Sequence, residues 1–167
     1  MELKKEIDKI KKTLRVHEER ISQLEKEESR PSPEQVGIGG IEQLAKKTDI
    51  KKEKIRDCFD LEENILTVIK TLGDDDNEKT KNISLLCLLG YKYFFRKKDL
   101  LSQEIRRNIA ENGVPLDNFA SHLKEIMPSF VRRKGKPRSP KTTYRLTTLG
   151  EAEAKKLLKN LCKRENG

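Results

Sequence analysis

The sequence predicts a mainly α-helical protein with a small β element near its C-terminal end and a polar helical rod at its N-terminal end. Three observations carry that expectation. Residues 1–28 place apolar side chains in alternating steps of four and three, with charged residues nearly everywhere else. The stretch from about Lys79 to Phe95 is apolar on nearly every side, as a central core helix would be. From Ile126 to Gly150 two β-prone segments flank a loop broken by Gly135, Pro137 and Pro140. That region holds seven Lys or Arg and no Asp or Glu.

Composition sets the limits. Of 167 residues, 34% are hydrophobic and 39% charged, which is too polar for one continuous core. A compact part and an extended, solvated part are expected. The formal net charge of +9 favours an anionic partner, nucleic acid ahead of a membrane surface. Cys58, Cys87 and Cys162 are odd in number and far apart, no Cys-x-x-Cys occurs, and His17 and His122 are the only histidines. That pattern argues against a zinc site or a disulfide framework and for a reducing compartment. The first residues lack an apolar signal region and no apolar run approaches membrane-spanning length, so a soluble cytoplasmic protein is expected.

In residues 1–28, Leu3, Ile7, Ile10, Leu14, His17, Ile21 and Leu24 form the a/d seam of a coiled coil. In a parallel dimer the flanking pairs are Glu6–Lys11, Thr13–Glu18 and Arg20–Glu25, two attractive and none repulsive. Self-association through this seam is expected, with a dimer favoured over higher states. His17 is the one polar break in it, able to fix register at a cost in stability. Ser29–Gly40, with two prolines and three glycines, reads as a linker.

From Ile41 the chain places Leu44-Ala45, a turn at Thr48-Asp49-Ile50, and Ile55 on a following helix. This spacing resembles a helix-turn-helix unit, with Asp49 where a turn glycine is usual. Its second helix is basic, and the resemblance makes Lys51, Lys52, Lys54 and Arg56 a possible second DNA contact. Asp60–Lys70 reads as a strand or as a small hairpin with Phe59-Asp60-Leu61. Residues 41–72 form a miniature unit with too little apolar area to stand alone, so it should dock on the next domain.

Acidic residues at 74–78 suit the start of the central helix. A second helix starts at Asp99 or Ser102, carries Leu101, Ile105 and Ile109, and ends at Asn112-Gly113. A third runs from Pro115 to about Met127, where Pro128 stops it. Two strands, a basic loop and a last helix from Glu151 to about Lys163 complete the order. The run Tyr144-Arg145-Leu146-Thr147-Thr148-Leu149-Gly150, leading into Glu151-Ala152-Glu153-Ala154, resembles the second wing strand and final helix of prokaryotic, especially archaeal, winged-helix regulators. The resemblance covers residues 79–163, about half the chain. The predicted fold class is therefore mainly α with a small β wing: an N-terminal coiled coil, a helix-turn-helix-like unit and a C-terminal winged helix.

That resemblance makes the third helix a recognition helix. Phe119, Leu123 and Ile126 share its core face, while Asn118, Ser121 and Lys124 look outward, the first two towards base edges and Lys124 towards phosphate. Asp117 and Glu125 oppose groove binding unless paired, and His122 sits at the edge as a packing residue. The wing is the stronger candidate: Arg132, Arg133, Lys134, Lys136, Arg138, Lys141 and Arg145 offer salt-sensitive phosphate contacts. The expected protein is a homodimeric binder of double-stranded DNA, a transcription regulator or an architectural binder. A protein-interaction scaffold and an RNA binder are the alternatives. No catalytic constellation, phosphate-cradling glycine loop, metal cluster, cofactor motif or small-molecule domain is visible, and Asp74-Asp75-Asp76 reads as a solvated turn, since three adjacent acids do not converge on one ion.

Overall fold

A computed structural model describes residues 13, 17, 18, 20, 33–137 and 139–163. Residues 1–32 and 33–167 form two separate units. In the first, Thr13, His17, Glu18 and Arg20 are helical and exposed. The other seam positions (Leu3, Ile7, Ile10, Leu14, Ile21 and Leu24) lie outside the described residues, as does Arg138 of the basic loop.

The second unit is mixed α/β, mostly helical, with two small antiparallel sheets. Its elements are α1 (Pro33–Thr48), α2 (Lys52–Arg56), β1 (Phe59–Glu62), β2 (Ile65–Val68), α3 (Asp76–Phe94), β3 (Leu100–Leu101), α4 (Ser102–Glu111), α5 (Phe119–Glu125), β4 (Val131–Lys134), β5 (Thr143–Leu146) and α6 (Thr148–Lys163). β1 and β2 form a hairpin, and the other three strands run in the order β3-β5-β4. Among the described residues no helix is long and apolar enough to cross a membrane.

The linker expected over 29–40 is corrected: Pro33–Gly40 is the first half of α1. Pro33 opens the helix, where a missing N–H costs nothing and its fixed φ fits. Gly40 serves contact rather than flexibility. A Cβ there would stand 2.2 Å from the carbonyl oxygen of Tyr93, so only glycine lets α1 lie this close to α3. Asp49 takes the left-handed conformation at φ 55°, filling the role a turn glycine would have.

α3 is the centre of the core. The Asp75 side chain accepts the Glu78 N–H at 2.8 Å, and the Asp74 N–H donates to the Glu78 carboxylate at 3.2 Å. Its residues are buried on nearly every side, including Ile83, Leu86, Leu89, Tyr91 and Phe94. Two hydroxyls tolerate that burial by donating one turn back, Thr80 to Asp76 and Ser84 to Thr80, each at 2.6 Å. α4 ends as its sequence indicates. The Gly113 N–H donates to Ala110 and the Val114 N–H to Ile109, with Gly113 at φ 71°.

Three helices begin away from where they are expected, α3 among them, which starts at Asp76 rather than about Lys79. α5 does not begin at Pro115 but at Phe119, because residues 115–118 are spent in a turn in which the Phe119 N–H donates to Leu116. α6 begins one turn earlier than Glu151, because the Thr147 hydroxyl accepts the Gly150 N–H at 2.9 Å and so caps the helix. Gly150 is required for packing: a Cβ would meet the Phe130 carbonyl oxygen at 1.8 Å. β3 was not foreseen. It pairs Leu100 with Tyr144 and Leu101 with Thr143, and so ties the start of α4 to the sheet.

Residues 41–72 and 79–163, read as separate regions, share one core. The join is partly polar. On α4, Asn108 accepts the Val68 N–H at 2.8 Å and donates to the Leu66 carbonyl at 3.0 Å, while Asn112 donates to the Val68 carbonyl at 2.8 Å. The Tyr91 hydroxyl accepts the Leu66 N–H at 3.2 Å. Side chains of α4 and α3 thus satisfy the free edge of β2 as another strand would. Cys58, Cys87 and Cys162 are all buried. Far apart in sequence, Cys58 and Cys162 meet with their sulfurs 3.8 Å apart.

Candidate nucleic-acid interface

The hairpin of β4 and β5 divides its cations between two faces. The register pairs Arg132 with Arg145, Arg133 with Tyr144 and Lys134 with Thr143. Side chains alternate along a strand, so Arg133 shares the inner face with Tyr144, and Arg132, Arg145 and Lys134 take the outer face. Tyr144 packs edge-on against Phe119 of α5, their centroids 6.3 Å apart. Burial pushes its phenol up, opposed by the charge and hydrogen bond of Arg133 and by the charge of Arg106. Arg106 itself stacks 5.0 Å from the Phe119 ring centroid. Arg133 and Arg106 therefore converge beside the root of α5.

The loop between the strands has internal structure. Gly135 turns it at φ 106°. The Thr142 hydroxyl donates to the Lys136 carbonyl at 2.5 Å, and the Ser139 N–H donates to the same carbonyl at 3.2 Å. The Ser102 N–H, opening α4, donates to the Thr142 carbonyl at 2.9 Å, so the loop base is fixed to α4. Between them lies a groove of about 770 Å³ lined by Ser102, Gln103, Arg106, Arg107 and Ala110 of α4, by Leu116 and Asp117 of the turn before α5, by Ala120 of α5, and by Ser139 and Pro140. Lys136 and Lys141 are exposed on the loop.

On α5, Phe119, Leu123 and Ile126 are buried. Asn118, Ser121 and Lys124 are exposed, and His122 is half-buried with Nδ1 lacking a hydrogen-bond partner among the described residues. Glu125 is paired. Asn77 donates to it at 3.1 Å and Lys81 pairs with it at 3.1 Å, which together hold its carboxyl below the usual range. Asp117, in the turn before α5, is exposed. Ser102, Gln103 and Arg106 are additions to the sequence-derived set. In the sequence they are only the polar face of an amphipathic helix, and nothing there marks that face as turned towards the basic loop.

The second basic set is partly consumed inside the fold. Lys52 pairs with Glu42 and Lys54 donates to the Cys162 carbonyl at 3.2 Å, fastening α2 to α6. Lys51 and Arg56 are exposed. α2 is only five residues long, and its one buried residue is Ile55. Among the described residues there is no cluster of three or more His, Cys, Asp or Glu able to hold a metal ion.

The chain matches no protein-family model, no curated protein and no solved structure.

Proposed function

We propose that this protein binds double-stranded DNA, with residues 76–163 acting as a winged helix. In this reading α5 is the recognition helix and the β4–β5 hairpin is the wing. The observation that carries the reading is the convergence of Arg133 and Arg106 beside α5, next to a groove closed by the basic loop. The strand order β3-β5-β4, with α4 and α5 between β3 and β4, supports it by setting the hairpin alongside α5. Lys124, Arg133, Lys136 and Lys141 take backbone phosphates, while Asn118 and Ser121 face base edges. Pairing of Glu125 with Lys81 offsets one of the two charges that opposed groove entry. Residues 1–28 bring two such surfaces together through the a/d seam, so that avidity adds to a modest affinity per protomer. A role in transcription regulation or DNA architecture fits this arrangement.

The test is fluorescence anisotropy of labelled mixed-sequence duplex at low salt, with an RNA duplex and an RNA hairpin as competitors. Saturable duplex DNA binding that RNA displaces only weakly is expected. Preferential displacement by RNA would transfer the reading to RNA, and no binding to either would leave a protein-interaction role.

A further inference from the structure

Arg132 and Arg145 stand directly opposite each other on the outer face of the hairpin. Directly opposed side chains in an antiparallel pair have Cβ atoms about 4.5–5.5 Å apart, and like charges there are destabilising. Both are exposed, and among the described residues neither makes an ion pair. They line a hollow of about 330 Å³ together with Leu88, Lys92, Lys98, Leu146, Thr147 and Thr148. The nearby carboxylate does not compensate them. Glu151 is already held by Lys92, by Lys155 at 2.6 Å and by the Tyr93 hydroxyl at 2.6 Å. Among the described residues Lys98, Arg132 and Arg145 make no ion pair, which leaves three cations around one small concavity. The helix end contributes little, because Thr147 already caps it through the Gly150 N–H.

A local arrangement that costs stability without internal compensation is expected at functional sites. Two guanidinium groups side by side offer paired parallel N–H donors, which match the oxygens of a tetrahedral oxyanion far better than those of a monovalent halide. The hollow is too small for a duplex and of the right order for one phosphate or a diphosphate.

We propose that this hollow is a phosphate-binding pocket, separate from the α5 surface. Arg132 and Arg145 clamp the phosphate, Lys98 adds a third charge from the lining, and the Thr148 hydroxyl is a further donor there. The phosphate comes either from a free phosphorylated molecule or from the backbone of a second nucleic-acid segment. This pocket does not depend on the duplex reading, since its cations lie on the other face of the hairpin from Arg133.

The experiment titrates full-length protein with inorganic pyrophosphate by isothermal calorimetry at constant ionic strength, beside Arg132→Gln, Arg145→Gln and, as the control on the inner face, Arg133→Gln. One site per chain is expected, weakened at least tenfold by either Arg132→Gln or Arg145→Gln and less than twofold by Arg133→Gln. Circular dichroism melts confirm that each variant folds. No heat beyond that of sodium chloride at the same ionic strength, or equal weakening by all three variants, would overturn the pocket. A second arm measures energy transfer between two differently labelled duplexes held by the protein. Transfer that pyrophosphate abolishes assigns the phosphate to a second nucleic-acid segment. Pyrophosphate binding without such transfer assigns it to a free ligand. Failure of duplex binding with pyrophosphate binding intact would overturn the proposed function and leave this pocket standing.

Discussion

Replacing Glu151 by Gln tests how α6 is fastened to α3, and its magnitude follows from the structure. The Glu151 side chain is 17% exposed and collects Lys92, Lys155 and the Tyr93 hydroxyl. Burial pushes its carboxyl up, but the hydrogen bonds from Lys155, Lys92 and Tyr93 outweigh burial and bring it from 4.5 to about 2. Because the folded value is the lower one, the contribution is complete above the unfolded value of about 4.5 and drains away as pH falls towards 2. That interval, at about 1.36 kcal/mol per pH unit, bounds the contribution at about 3.4 kcal/mol. Solvent reaching Lys92 and the carboxylate screens it to about 1–2 kcal/mol. Urea unfolding followed by circular dichroism should therefore show Glu151→Gln less stable by about 1–2 kcal/mol at pH 7. By pH 3 the gap should shrink to less than half. A gap of equal size at both pH values would mean that the carboxylate charge contributes nothing and would refute the reasoning.

Three further expectations concern separate parts of the chain. Asn108→Ala leaves the buried Val68 N–H without an acceptor and takes a donor from Leu66, so thermal unfolding should reveal a loss of about 2–3 kcal/mol; a loss under about 0.5 kcal/mol would mean that the edge of β2 does not need α4. Asp49→Gly removes a side chain from a left-handed position and should stabilise the unit by about 0.5–1 kcal/mol, measured by the same melts. Ile7→Gln combined with Leu14→Gln should give a monomer by light scattering and weaken duplex binding by a hundredfold or more through lost avidity; an unchanged mass would place self-association elsewhere.

What the sequence revealed depended on whether the signal was local. The all-round apolarity of 79–95 announced a buried helix, and Asn112-Gly113 announced where α4 ends, because both are written in neighbouring residues. Gly40 misled for the opposite reason. Its use is set by the Tyr93 carbonyl more than fifty positions away, so composition alone read the segment as flexible. The Asn108 and Asn112 contacts to β2 were hidden likewise, as was β3, whose two residues are too few to carry an alternating pattern. The candidate site was legible as a charge cluster but not as geometry. Seven cations between Ile126 and Gly150 looked like one basic surface, and only the pairing of Arg132 with Arg145 separates an inner face from an outer one. The α4 contribution through Ser102, Gln103 and Arg106 had no mark of its own.

The claim that the inner face of the hairpin and α5 grip a phosphate backbone is tested most directly by the salt dependence of duplex affinity. Anisotropy titrations across a series of sodium chloride concentrations would compare the native chain with Arg133→Ala combined with Lys124→Ala, two exposed residues outside the core. Each phosphate contact contributes about 0.9 to the slope of log affinity against log salt. A slope shallower by about 1.8 per protomer in the double variant is the expected result, with its circular dichroism unchanged. Equal slopes for the two proteins would contradict the claim and place the phosphate contacts on another surface.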